Sequence, residues 1–280
     1  MKKIVLITGC SSGIGAALAL EFQRRGHTVY ASARRPEALA PLAEKGIRTL
    51  ALDVNDDASI AAAAAAVERD AGQLDILVNN AGFSQVGAVI DLSREDLRKQ
   101  YETNVIAPVA VTRAFVPLLR KAVAGNGMAV LANIGSIVGL FATPFAGAYC
   151  SSKAAIHSLS DALRMELAPF GIRVVTVQPG GLRSSFGDHA EEALRLPPGS
   201  LYLPVEDRLR ARAQAGQADA EPAATFVPPV VDALLAASPP IVVRGGKNST
   251  KLPLLKKWLP TATFDAKLSK IFGLDRLTKS

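Results

Sequence analysis

The stretch Ile4-Val5-Leu6-Ile7-Thr8-Gly9-Cys10-Ser11-Ser12-Gly13-Ile14-Gly15 decides the fold. Its first four residues are a short unbroken apolar run, the pattern of a strand buried on both faces. A helical pattern follows from about residue 14 to 25, with Leu18, Leu20 and Phe22 among its apolar positions. Three glycines in the turn between them have distinct duties. Gly9 permits a tight turn, Gly13 lets the backbone approach a pyrophosphate, and Gly15 lets the helix pack close to the strand. A doubly wound sheet binds a dinucleotide at this place, between its first strand and first helix. Ser11, Ser12 and Ile14 complete the expected cofactor loop. The spacing Gly-x-x-x-Gly-x-Gly is not the commoner Gly-x-Gly-x-x-Gly, so the strand-to-helix context carries the reading.

Outward from this stretch, strands and helices alternate. Further strands are predicted over residues 28–31, 48–52, 75–78, 128–134 and 172–177. Helices are predicted near 36–45, through the alanine run 61–66, along 93–123 and over 149–170. This alternation implies right-handed parallel βαβ units and a sheet covered on both faces. The fold class is therefore α/β, a doubly wound parallel sheet (Rossmann fold) forming one domain over residues 1–245. After Pro179 the pattern loosens into a lid over about 181–218. Helices are expected near 204–218 and 228–237, and Ile241-Val242-Val243 can close the sheet. Residues 246–280 form a basic, apolar C-terminal extension.

Composition agrees. A chain of 280 residues, 49% apolar and 20% charged, is neither disordered nor short of core. Its two cysteines, Cys10 and Cys150, exclude a disulfide scaffold. No His/Cys/Asp/Glu cluster has metal spacing, and neither a metal nor a nucleic-acid partner is expected. Met1-Lys2-Lys3 before Ile4–Ile7 imitates a signal peptide, but four apolar residues fall short of the ~7–15 such a segment needs. The expected location is the cytoplasm, with reduced thiols.

The net charge of +7 lies wholly in residues 241–280, where nine basic residues face only Asp265 and Asp275. Leu252, Leu254, Leu255, Trp258 and Leu259 there alternate with Lys251, Lys256 and Lys257. Two readings stand. The apolar groups pack on the body with the lysines solvated, or the tail lies on an anionic membrane surface and guides substrate inward.

The end of the second strand selects the cofactor. An acid there would bond the ribose 2′-hydroxyl of NAD. This chain has Ser32-Ala33-Arg34-Arg35 instead, and Arg34 can pair with the 2′-phosphate of NADP(H).

Tyr149-Cys150-Ser151-Ser152-Lys153 places a phenol and an ammonium on one helical face, ~6 Å apart at Cβ. A neighbouring ammonium favours the phenolate, so Lys153 is expected to lower the pKa of Tyr149 toward proton exchange with an alcohol or carbonyl. Ser136 follows the fifth strand, where ligands collect, and can bond the substrate oxygen. Cys150 reads as a packing residue, as does His157. His189 falls in the lid. Leu140, Phe141, Phe145, Leu182 and Phe186 are either pocket walls or core.

Together these motifs resemble the short-chain dehydrogenases/reductases. The matching residues are Thr8-Gly9-x-x-x-Gly13-x-Gly15, Asp53-Val54, Asn79-Asn80-Ala81-Gly82, Asn104, Ser136, Tyr149-x-x-x-Lys153 and Pro179-Gly180, in family order over about residues 3–243. The resemblance implies Tyr149 as general acid/base and Lys153 as holder of the nicotinamide ribose. It implies that Ser136 orients the substrate and that Asn104 supports a water-linked relay to Lys153. Asp53 and Val54 would line the adenine pocket, and Asn80, Ala81 and Gly82 the ribose side. Pro179 and Gly180 would seat the nicotinamide. Ser184 stands where a threonine is common, and its hydroxyl would bind the carboxamide. Within the family, the chain resembles the branch of 17β-hydroxysteroid dehydrogenases, retinol dehydrogenases and acyl-dihydroxyacetone-phosphate reductases, which implies a lipophilic substrate. Family members commonly pair into dimers or tetramers through the helices near 93–123 and 149–170. The expected activity is NADP(H)-dependent interconversion of carbonyl and alcohol. The alternative is a non-catalytic NADP-binding regulator on the same fold.

Overall fold

The computed structural model describes residues 1–183, 194, 196–214 and 220–277. Seven parallel strands form one sheet: β1 (Ile4–Ile7), β2 (Thr28–Ala33), β3 (Arg48–Ala51), β4 (Ile76–Asn79), β5 (Ala129–Ile134), β6 (Ile172–Pro179) and, closing the far edge, Val242–Gly245. Their order across the sheet is β3-β2-β1-β4-β5-β6 and then Val242–Gly245. The order reverses between β1 and β4, where the chain leaves β1 for one side and returns to start the other. A crevice opens there at the carboxyl ends of the strands.

Alternate residues along each strand serve opposite cores. Val5 and Ile7 face one core with Leu18, Ala19 and Phe22 of α1 (Gly13–Arg24) and Phe226, Val230 and Leu234 of the helix Ala223–Leu235. Leu6 and Leu77 face the other, with α3 (Asp57–Ala71), α5 (Ala107–Asn126) and the end of α6 (Gly147–Leu167). Between β2 and β3 the expected helix is only a 3₁₀ turn, Pro36–Leu39, running into the short α2 (Ala40–Ala43).

The predicted helix over 93–123 is interrupted. A first piece, α4 (Arg94–Tyr101), passes through a π turn at Glu102–Ile106 before α5 begins. Pro108 has no amide to give the carbonyl four residues back, so the regular register fails where Asn104 sits. The helix expected at 228 starts five residues earlier, at Ala223, and carries Pro228 and Pro229 inside it.

Beyond the sheet, α7 (Glu206–Gln214) belongs to the lid, and β7 (Leu182–Arg183) pairs with β8 (Glu221–Pro222). With β9 taken as Val242–Gly245 and α8 as Ala223–Leu235, the tail forms α9 (Lys251–Trp258) and α10 (Thr261–Ile271). Leu252, Leu255 and Leu259 pack with Phe264 against Ile137 and Phe141, beside the turn that follows β5. Leu254 and Trp258 face outward, 48% and 76% exposed. Among the described residues no helix is long and apolar enough to cross a membrane.

Candidate active site

The glycine loop is held by its neighbour strand. Thr8 Oγ1, at the end of β1, accepts from the amides of Asn80 (2.9 Å) and Ala81 (3.0 Å) just past β4. In return Asn80 Nδ2 donates to the carbonyls of Thr8 (2.8 Å) and Gly9 (2.9 Å). Gly9 and Gly13 take positive φ, +70° and +60°. A Cβ on Gly9 would lie 2.8 Å from Ala81 Cα, and one on Gly15 would lie 2.4 Å from the Gly9 carbonyl oxygen and 2.5 Å from Asn80 Nδ2. The backbone thus comes as close as backbone can, and α1 aims its N-terminus at the crevice with no acidic side chain in its first turn. That cradle fits a pyrophosphate. Ser11 and Ser12 are exposed at its rim, and Ile14 packs on the core below.

Cys10 is part of the frame. Its amide bonds the Ser32 carbonyl at 2.8 Å, and burial pushes its thiol up to about 12, leaving it inert at neutral pH. Arg34 is exposed immediately after β2 and has no ion-pair partner among the described residues. After β3, Asp53 caps its own turn by accepting from the Asn55 amide (3.0 Å), and Val54 is buried in the core beneath.

The second group of residues gathers beyond β5. Ser136 opens a 3₁₀ turn, Ile137–Gly139, and its Oγ accepts from the Val138 amide at 3.3 Å. Tyr149 and Lys153 lie one turn apart near the start of α6. Tyr149 is hydrogen-bonded to the Ser136 hydroxyl. Lys153 is buried, donates to the Ile134 carbonyl at 2.7 Å, and holds its ammonium 5.7 Å from the Tyr149 ring centroid.

Here the structure corrects the expected acidity. Burial pushes Tyr149 up to about 12, offset only in part by the Ser136 bond, and Lys153 is not among the groups that pull it down. The Lys153 ammonium is spent on a carbonyl, and burial lowers its own pKa to about 8. Among the protein's own groups, desolvation outweighs charge at this phenol.

Asn104 sits in the π turn. Its Nδ2 donates to the Phe83 carbonyl (3.0 Å) and Ser152 Oγ (3.2 Å), and its Oδ1 accepts from the Phe83 amide (3.1 Å). Its bonds fix the loop after β4, and a Cβ on Gly82 would meet Asn104 Oδ1 at 3.1 Å. His157 is a packing residue, as expected. Its Nε2 accepts from the Ser136 amide (3.4 Å), its ring fills the space left by Gly135 and Gly139, and burial lowers its pKa to about 4. The loop after β6 is clamped by the end of β9 and the residues that follow it. Gly180 and Gly181 donate to the carbonyls of Gly245 (2.8 Å) and Lys247 (3.0 Å). A Cβ on Gly180 would lie 2.2 Å from the Lys247 oxygen. Ser184, Phe186 and His189 fall outside the described residues.

Of the proposed walls, Phe141, Phe145 and Leu182 are buried in apolar clusters, while Leu140 is exposed. Phe145 is held at φ 63°, unusual for a bulky residue, between the edges of Tyr202 from the lid and Phe272 from the tail. Three contributors were not legible in the sequence: Thr8 as the receiver of two amides, Lys247 as the clamp on the β6 loop, and Arg212 from α7. Arg212 Nε donates to Thr143 Oγ1 at 3.2 Å, and its guanidinium meets the Cys150 sulfur beside Tyr149.

A seven-stranded parallel sheet, with a glycine-lined crevice at its switch point and a Ser-Tyr-Lys group one strand away, is a Rossmann-like α/β fold. The sequence profile of the short chain dehydrogenases matches residues 3–194. A short-chain dehydrogenase/reductase of Pestalotiopsis microspora is 38% identical over 279 residues, 98% of this chain and 95% of that one. An NADPH-dependent 1-acyldihydroxyacetone phosphate reductase of Schizosaccharomyces pombe is 38% identical over 210 residues, 72% of this chain and 69% of that one. Among solved structures, a short-chain dehydrogenase from Streptomyces avermitilis superposes with a TM-score of 0.80 at 31% identity, covering 100% of this chain and 99% of the other. The chain belongs to the short-chain dehydrogenase/reductase family of oxidoreductases.

Proposed function

We propose that the protein is an NADP(H)-dependent oxidoreductase that interconverts a carbonyl and an alcohol on a lipophilic substrate, with Tyr149 as general acid/base. The observation that carries this reading is the convergence of Ser136, Tyr149 and Lys153 at the carboxyl end of β5, one strand from the glycine cradle. NADPH supplies the hydride when bound. Ser136 and Tyr149 share one hydrogen bond, and a carbonyl oxygen arriving between them receives both hydroxyls. A phenol held near 12 keeps its proton at neutral pH, so Tyr149 stands ready to donate to the developing alkoxide. Lys153, near 8, is still mostly an ammonium at pH 7, is tethered to the Ile134 carbonyl, and would hold the cofactor ribose. Asn104 holds the loop through Phe83, and with it Gly82 on the ribose side. Pro179 and Gly180, in the loop clamped by Gly245 and Lys247, would seat the nicotinamide.

The preference for NADP(H) rests on Arg34, exposed and uncommitted at the end of β2 with no acid in its place. The S. pombe relative is named for NADPH dependence, which agrees. A non-catalytic NADP-binding regulator would have no use for the Ser136–Tyr149 pairing. The test is a panel of ketones, steroids, retinoids and acyl-ketone phosphates, scored by NADPH oxidation. Turnover of at least one class is expected; binding of NADPH with no turnover of any would favour the regulator.

The tail supports both of its readings at once. Leu252, Leu255 and Leu259 pack on Ile137, Phe141 and Phe264, and Leu255 and Leu259 also line an open apolar groove of about 450 Å³ with Leu254, Trp258, Thr250 and Lys251. An apolar face rimmed by lysines fits peripheral contact with an anionic membrane, a location from which a lipophilic substrate reaches the cleft. Exposed Ile106 and Val109 on the 102–126 stretch, and Met165 and Phe170 at the end of α6, suit pairing of copies through those helices.

A further inference from the structure

Three of the arginines on α7 behave differently. Arg210 is outward and bonded to Glu206 (2.6 Å), and Arg208 is half-buried beside Asp207 (3.4 Å). These are ordinary surface pairs that contribute little. Arg212 turns the other way. It shares the inner face of the helix with Leu209 and Ala213, both buried. Its Nε reaches Thr143 Oγ1, its guanidinium meets Cys150, and it is close enough to Tyr149 for the two to interact electrostatically. A guanidinium partly withdrawn from water, with no carboxylate beside it among the described residues, is costly to hold, and burial here opposes its charged form. As a mere fastener for α7, a methionine or leucine packing with Leu209 would serve at lower cost. A substrate anion bound beside the catalytic hydroxyl would supply the counter-charge that the described residues do not.

We infer that Arg212 is an anion-recognition residue of the substrate cleft, and that the substrate carries a carboxylate or phosphate within a few bonds of the carbonyl being reduced. The planar fork of the guanidinium matches either group bidentately. The apolar remainder of the substrate lies toward Phe145, Tyr202 and Leu140. This rests on the oxidoreductase reading above and deepens it, from a lipophilic carbonyl to an anionic, lipophilic one. Thr143, by bonding Nε, fixes the orientation in which the fork is presented.

The experiment uses the full chain with NADPH and two matched probe pairs. Phenylglyoxylate is set against its methyl ester, and dihydroxyacetone phosphate against dihydroxyacetone. The first pair tests a carboxylate, the second a phosphate. The native protein is expected to favour the charged member of at least one pair in kcat/KM. Arg212→Met is expected to lower the charged-to-neutral ratio of kcat/KM about 100-fold, chiefly through KM, since it removes one partner of a desolvated charge pair. Arg212→Lys should recover part of that ratio. If Arg212 only fastens the helix, both members of a pair fall together and the ratio stays unchanged, which overturns the inference. Turnover of neutral probes alone by the native protein overturns it too, while leaving the oxidoreductase reading standing. Failure of every probe, with NADPH bound, counts against both.

Discussion

Replacing Gly15 by alanine puts the cofactor cradle under direct stress. The added methyl would stand 2.4 Å from the Gly9 carbonyl oxygen and 2.5 Å from Asn80 Nδ2, about an ångström inside ordinary contact. Neither neighbour can step aside freely. The carbonyl is backbone in a loop fixed by Gly9 at positive φ, and the amide is committed to the Thr8 and Gly9 carbonyls. Overpacking of this kind costs about 1–3 kcal/mol. Each bond of Asn80 lost in relieving it adds roughly 1 kcal/mol. A total of about 3–5 kcal/mol corresponds to a fall in Tm of roughly 5–15 °C for a chain of this size. The displaced loop should also weaken NADPH binding by at least about tenfold, because the backbone that meets the pyrophosphate has moved. Circular dichroism melts and fluorescence titration of NADPH measure the two effects. Gly199→Ala is the control: no atom lies within 4 Å of its Cβ position, and its Tm should stay put. An unchanged Tm and an unchanged NADPH affinity in Gly15→Ala would refute the idea that this loop is a close-packed cradle.

Arg34→Asp should abolish or reverse the preference for NADPH over NADH in paired titrations; equal affinities in the native protein would mean that Arg34 does not meet the 2′-phosphate. His157, lowered from 6.5 to about 4 by burial, is neutral in the fold and charged in the unfolded chain between those values. Its contribution is therefore full above pH 6.5 and lost as pH falls toward 4, worth about 3 kcal/mol. Denaturant midpoints over that window should fall, and less steeply in His157→Asn; identical slopes would exclude His157 as the cause. Co-sedimentation with anionic vesicles at low salt, lost at high salt and weakened in Trp258→Ser, is expected of the tail. Binding to neither anionic nor neutral vesicles would leave α9 and α10 as a cover over the site.

Much of the fold could be read from local pattern. The run Ile4–Ile7 announced a strand buried on both faces, and helical spacing brought Tyr149 and Lys153 together without any knowledge of the sheet. Ile241–Val243 was expected to close the sheet, and Val242–Gly245 does. The failures share a cause, which is that tertiary partners decided the outcome. The helix expected from residue 228 begins at Ala223 and buries Phe226 and Val227 on the core. The π turn around Asn104 leaves no mark on periodicity. The pKa of Tyr149 was reasoned from its nearest cation, but Lys153 is tied to the Ile134 carbonyl and burial prevails. Arg212 lies 63 positions from Tyr149 in a polar helix, and only the packing of Leu209 and Ala213 turns it inward.

The Tyr149 hydroxyl is the one group whose removal should stop the reaction and leave the cofactor bound. Tyr149→Phe keeps the ring and removes only the oxygen shared with Ser136. NADPH binding and turnover should be measured side by side on the same preparation, with whichever carbonyl the native protein accepts. The expected result is an NADPH affinity close to native together with a loss of turnover of at least about a hundredfold, the scale of one general acid. Turnover within a few-fold of native, with NADPH bound, would contradict the mechanism outright.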